Sequence, residues 1–168
     1  MRRPATDAEA KALASGVRLR IIRLCLDRAL TNKEIAERLD ANPATVLHHV
    51  RTLVATGFLV PQEERRGPRG AREVPYLATG KSWQLSVGEH GAGTNQAMLE
   101  AFQQELALLE DRAESVNFAR LGLRLTPQEW QELQDRFQAL LDEYAHRERT
   151  HGRPYSIFLA MYEDRSRD

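Results

Sequence analysis

The chain has 168 residues, 29% of them charged and 7% aromatic, with 24 Lys+Arg against 24 Asp+Glu, a composition that suits a helix-rich globular protein and excludes a disordered one. It contains no run of about 18 apolar residues, which excludes a transmembrane helix, and its opening Met-Arg-Arg-Pro-Ala-Thr-Asp lacks the apolar core of a signal peptide. The net charge of zero hides a division: residues 1–81 carry 15 Lys+Arg and 9 Asp+Glu (net +6), whereas residues 82–168 carry 9 and 15 (net −6), as expected for a nucleic-acid-binding half joined to a partner or regulatory half.

The single cysteine, Cys25, rules out an internal disulfide framework. It lies in an apolar helical run, where a thiol acts as a small buried hydrophobe. A cytoplasmic protein is expected.

In chain order, residues Ala8–Ala14 read as a lead-in helix stopped by Ser15-Gly16. Val17–Ala29 reads as a second helix, with Val17, Ile21, Leu24 and Leu26 to one side and Arg18, Arg20, Arg23 and Arg28 around it. Thr31 followed by Glu34 is a capping box, in which each side chain satisfies the other's backbone N–H. Ile35, Ala36 and Leu39 supply the apolar stripe behind it. Asn42-Pro43 opens the next helix, with Asn as cap and Pro at the first position, where its missing N–H costs nothing. Val46, Val50, Leu53 and Val54 line one side of that helix, and Gly57 falls where a left-handed terminal residue belongs. Two short helices around the turn Asp40-Ala41-Asn42 have the proportions of a helix-turn-helix. Phe58-Leu59-Val60 and Glu73–Thr79 then read as two strands joined by the Gly/Pro-rich tip PQEERRGPRGAR. That tip carries Arg65, Arg66, Arg69 and Arg72, placed as a basic wing toward phosphates or a minor groove.

On VRLRIIRLCL, TNKEIAERLDANPATVLHHVRTLVATGFLV and a basic wing closing on VPYLATGKSW, residues 13–80 resemble a winged helix-turn-helix regulator of the arsenic-repressor (ArsR) superfamily. The resemblance implies a dimeric, repressor-type protein with a recognition helix over Pro43–Thr56. The metal-sensing branch of that superfamily uses a cysteine pair or clustered His/Asp, neither of which this chain carries in recognisable form. His48-His49 offers no metal site either, because adjacent helical residues point about 100° apart.

With Val46, Val50 and Leu53 turned inward, the base-reading set is Ala44, Thr45, Leu47, His48 and Arg51, with Pro43 at its start and Thr45 at its flank. Arg51 is the best candidate for direct readout, since its fork matches guanine O6 and N7. Ala44 and Leu47 suit thymine methyls. Thr31, Asn32, Lys33 and His49 are the expected phosphate contacts, which set register without reading sequence.

Gly88–Gly93 is a compositional break, expected to be a linker between a DNA-binding domain (1–87) and a dimerisation and possible effector module (94–168). Over Thr94–Ser115, Met98, Phe102, Leu106, Leu109, Ala113 and Val116 form a narrow stripe; the first four are the expected dimer contacts. Phe118–Leu125 alternates with period two, which predicts a strand. Thr126-Pro127-Gln128-Glu129 opens a helix bearing Trp130, Leu133, Phe137, Leu140, Leu141 and Tyr144. Tyr155–Tyr162 reads as a second strand, completing a small βαβ unit paired within or between chains. Trp83, Trp130, Tyr144 and Tyr155 are better read as core than as pocket walls.

The expected fold is therefore mainly α with small β: a winged helix-turn-helix domain followed by an α/β (helix-strand-helix-strand) dimerisation module. No Gly-rich phosphate loop, Gly-x-Ser-x-Gly elbow or His-Glu-x-x-His is present, and the five histidines are scattered, so no enzyme, metal or cofactor is expected. The expected partners are double-stranded DNA at a pseudo-palindromic site, a second copy of the chain, and a possible small-molecule effector. The main alternative is a winged-helix adaptor that binds protein; a sensor built on Cys25 would need an exposed thiolate.

Overall fold

The computed structural model of the chain describes residues 2–67, 70–88, 91–109, 116–147 and 152–167. Two compact units divide it, residues 1–111 and 112–168. It is mainly helical with small sheets, and the first unit is a winged helix-turn-helix.

Thr6 opens helix α1 (Asp7–Leu13) with a capping box of the same Thr-x-x-Glu form as Thr31: the Glu9 N–H donates to Thr6 Oγ1 and the Thr6 N–H to Glu9. Helix α2 (Gly16–Leu24) is capped by Ser15, which accepts from the Arg18 N–H. Ser15 is thus a start signal rather than the stop expected from the sequence. The second helix also ends earlier than Ala29. At its end the Cys25 carbonyl accepts from the Ala78 N–H at 2.9 Å, so the chain leaves the helix to meet a sheet.

That sheet has three antiparallel strands in the order β2 (Leu30–Thr31), β6 (Pro75–Ala78), β3 (Leu59–Pro61), with Leu30 opposite Tyr76 and Leu59 opposite Ala78. Helices α3 (Asn32–Leu39) and α4 (Pro43–Ala55) lie between β2 and β3 in sequence. The hairpin narrows beyond β3 into β4 (Arg65–Arg66) paired with β5 (Arg72–Glu73). At the other end, β1 (Arg3–Pro4) runs parallel to β7 (Leu85–Ser86), after a 3-10 turn over Lys81–Gln84. Ile21, Cys25, Leu30, Ile35, Val46, Val50, Leu53, Phe58 and Leu59 make one continuous core. Burying a side chain of this size contributes roughly 1.5–3 kcal/mol.

Helix α5 (Gly91–Ala107) packs on α1 and α2 within the first unit. The sequence assigned it to the C-terminal module behind a linker at 88–93, of which residues 89 and 90 lie outside the described residues. The face it packs with is not the long-residue stripe. Thr94, Ala97 and Ala101 are buried, and a Cβ added to Gly16 would stand 3.4 Å from the Ala97 carbonyl oxygen. Small residues let the two backbones approach closely. Ala113, the expected continuation of the stripe, lies outside the described residues.

In the second unit, Thr126 and Glu129 form the expected capping box of α6 (Pro127–Ala145), with Pro127 in its first turn. Among the described residues, 116–126 and 152–164 form no strand, contrary to the strands expected at Phe118–Leu125 and Tyr155–Tyr162. Period-two patterning assigns side chains to two faces, but a strand also needs a hydrogen-bonding neighbour. No described residue of this unit is buried; Leu121, Ile157 and Tyr155 are among the most exposed large hydrophobics. Among the described residues no helix is long and apolar enough to cross a membrane.

Candidate nucleic-acid interface

The turn between α3 and α4 is held from both sides. Asp40 ends α3 in the left-handed region at φ 49°, a conformation that Asp tolerates better than most residues. Asn42 then caps α4, its Oδ1 accepting from the Ala44 N–H at 2.8 Å. Across the turn, Asn32 Nδ2 donates to the Pro43 carbonyl at 2.9 Å and ties the two helix starts together.

Val46, Val50 and Leu53 of α4 are wholly buried, which fixes the rotation of the helix. Its outer face presents Pro43, Ala44, Thr45, His48 and Arg51, all exposed, while Leu47 is half-buried. Arg51 makes no hydrogen bond or ion pair among the described residues. A helix with one buried apolar face and one exposed face can enter a groove about 12 Å wide.

The four residues expected at phosphates have different settings. Lys33 is exposed, with its ammonium 3.8 Å from Glu37. Thr31 is buried, paired in β2 and engaged in its capping box. Asn32 is half-buried, and its donor is spent on Pro43. His49 is half-buried with its Nδ1 unpartnered. Burial, then the nearby Arg18 guanidinium and His48, hold the His49 imidazole below the usual histidine range, so its ring is neutral at physiological pH. The His48 and His49 ring centroids are 5.8 Å apart with planes at 65°, and no metal-binding group of side chains exists among the described residues.

Of the wing arginines, Arg69 lies outside the described residues. Arg65 donates from Nη2 to both oxygens of Glu34 at 2.7 Å. Arg72 stands 3.6 Å from Glu64 and is largely exposed. Arg66 makes no ion pair among the described residues. The hairpin is less bare a cation cluster than its sequence suggests.

Sequence reasoning missed two groups. Glu34 was seen as a capping residue and not as the partner of Arg65. Glu9, 6% exposed, holds Arg3 at 2.6 Å and Lys81 at 2.6 Å, and Lys81 also donates to the Thr56 carbonyl at the end of α4. The Thr6-x-x-Glu9 pattern was available as a signal, but nothing local pointed to Lys81.

On α5, Met98 and Leu99 are exposed and Phe102 and Leu106 are half-buried; Leu109, just beyond the helix, is half-buried as well. Arg23 and Glu105 pair at 2.9 Å beside them, and Arg20 donates to Gln104 at 3.0 Å.

The profile of a protein family described as a helix-turn-helix domain matches residues 13–62. No curated protein matches the chain. Among solved structures, the chain is similar to reduced HlyU from Vibrio cholerae, at 24% identity over 55% of this chain and 81% of that one, with a TM-score of 0.35. It is also similar to a doubly substituted ZitR from Lactococcus lactis (20% identity, 78% and 83% covered, TM-score 0.34) and to the adhesin competence repressor from Streptococcus pyogenes (13% identity, 77% and 79% covered, TM-score 0.35).

Proposed function

We propose that the chain is a sequence-specific double-stranded DNA-binding transcription regulator of the ArsR-like kind, acting in the cytoplasm as a homodimeric repressor on a pseudo-palindromic site. One observation carries this reading: α4 is locked by Val46, Val50 and Leu53 while Ala44, Thr45, His48 and Arg51 are exposed on its outer face. In this reading Arg51 reads a base, and Ala44 and Leu47 meet thymine methyls. Lys33 and Arg66 hold phosphates, with Thr31, Asn32 and His49 shaping the surface around them.

A second copy is proposed to dock on α5. The small residues of that helix are used inside the chain, and the proposed contact is the stripe of exposed Met98, half-buried Phe102 and Leu106 and, beyond the helix end, half-buried Leu109. Such a dimer would set two α4 helices into major grooves about 34 Å apart. The C-terminal unit, residues 112–168, is proposed as a further dimerisation module.

The test is selection from a random-sequence duplex pool with the salt slope recorded. Enrichment of a two-fold symmetric motif supports the proposal. A flat pool with a steep slope means a non-specific electrostatic binder. The adaptor reading gains from the engagement of Arg65 and Arg72 by carboxylates, and absence of binding at low salt would put it first.

A further inference from the structure

Arg65 is a wing residue already engaged at the start of α3. Its Nη2 lies 2.7 Å from each oxygen of Glu34. Glu34 in turn does not swing freely, because its Oε2 accepts from the Thr31 N–H at 2.7 Å. A carboxylate is thereby fixed at the edge of the surface that α3, α4 and the hairpin present together. The pair borders a cleft of about 640 Å³ between the first turn of α3 and the hairpin, with Lys33, Arg66 and Glu73 also on its walls. Arg65 and Glu34 are both partly exposed, 47% and 38%. Such an ion pair is weak, so a phosphate oxygen can compete with Glu34 for the same guanidinium.

We propose that Glu34 acts as an internal competitor of DNA phosphate, holding Arg65 on the protein and lowering the affinity of the wing for any duplex. The inference rests on the DNA-binding reading and deepens it: among the described wing arginines Arg66 has no ion pair and is available at first encounter, and Arg65 is held in reserve. If Arg65 moved to phosphate in the native protein, Glu34 would be left uncompensated beside a polyanion. That cost keeps the pair closed on weakly bound, non-specific DNA.

The experiment compares the full-length wild type with Glu34→Gln, Arg65→Gln and the double variant. Each is titrated by fluorescence anisotropy against a random-sequence duplex over a range of salt. Gln at position 34 keeps the capping-box acceptor for Thr31, and a thermal melt of each variant checks the fold. Glu34→Gln is expected to bind about three- to tenfold more tightly at low salt, with a salt slope steeper by ~0.9 for one added phosphate contact. Arg65→Gln, which leaves the capping box untouched, is expected to bind several-fold more weakly with an unchanged slope. The double variant should keep the wild-type salt slope, because Glu34→Gln steepens it only while Arg65 is there to be released, a coupling that independent sites would not show. Unchanged or weaker binding by Glu34→Gln overturns the proposal. So does a slope shallower by ~0.9 in Arg65→Gln, since Arg65 would then already hold a phosphate. If none of the four proteins binds at low salt, the DNA-binding reading itself falls.

Discussion

Lys81 Nζ lies 2.6 Å from the buried carboxylate of Glu9 and 2.5 Å from the Thr56 carbonyl, so one ammonium ties the first helix to the last turn of α4. It also stands over the Phe58 ring, 5.2 Å from the centroid. Arg3 closes the cluster from the other side, with two nitrogens on Glu9 at 2.6 and 2.9 Å. The orientation of the proposed reading helix thus depends on charges contributed from both ends of the domain.

Glu9→Gln is expected to destabilise the first unit by about 1–3 kcal/mol, because it leaves Lys81 and Arg3 without their shared anion in a part-buried site. Hydrogen bonds from Arg3, then Lys81, then the Thr6 N–H hold the Glu9 carboxyl far below the usual carboxylate range. A folded-state pKa depressed in this way contributes stability that is present above the unfolded value, about 4.3, and is lost as pH falls below it. Urea denaturation at pH 7 and at pH 3 checks both points: the gap between wild type and Glu9→Gln should shrink at the lower pH.

Gly57→Ala should cost about 1–2 kcal/mol in the same assay. Gly57 sits at φ 73°, and an added Cβ would stand 3.2 Å from Lys81 Nζ. The substitution therefore strains the backbone and presses on the charge cluster together.

Arg51→Ala is expected to relax preference at one base position of a selected site, a loss of about 1–3 kcal/mol in discrimination. Arg66→Ala should instead weaken binding to every sequence and reduce the salt slope by ~0.9. Anisotropy titrations on the selected site and on single-base variants separate the two. Equal loss on all sequences in both proteins would remove Arg51 as a base reader.

Met98→Asp, at an exposed position, is expected to shift a dimer toward monomer in sedimentation velocity, with little change in the helical circular dichroism. The buried packing face of α5 is Thr94, Ala97 and Ala101, so the fold should survive. A wild type that sediments as a monomer at all concentrations would end the proposal that α5 pairs two copies.

Cys25 is expected to resist thiol reagents in the folded protein and to react fully in denaturant, as a colorimetric thiol titration would show. Burial pushes its thiol up to about 11, which leaves almost no thiolate at neutral pH.

The reading module was legible because its determinants are local. Thr31 with Glu34, Asn42 with Pro43, and Gly57 after Leu53 and Val54 are start and stop signals acting over one turn of helix. The apolar spacing of Val46, Val50 and Leu53 fixes which face is buried. Ser15 misled because a Ser-Gly pair both ends one helix and begins another, and only packing chooses between the two. The strands expected at 118–125 and 155–162 failed for a related reason: alternation is a property of one segment, whereas pairing requires a second.

What the sequence determined by itself, then, is the helix-turn-helix with its hairpin, together with the buried face of α4 at Val46, Val50 and Leu53. Capping, helical period and turn chemistry operate between neighbours in the chain. Only the tertiary structure decided that Arg65 is engaged by Glu34, that Glu9 joins Arg3 to Lys81, and that α5 buries its small residues Thr94, Ala97 and Ala101. Those relationships join residues far apart in sequence, and a charge or a methyl group carries no local mark of the distant partner it will meet.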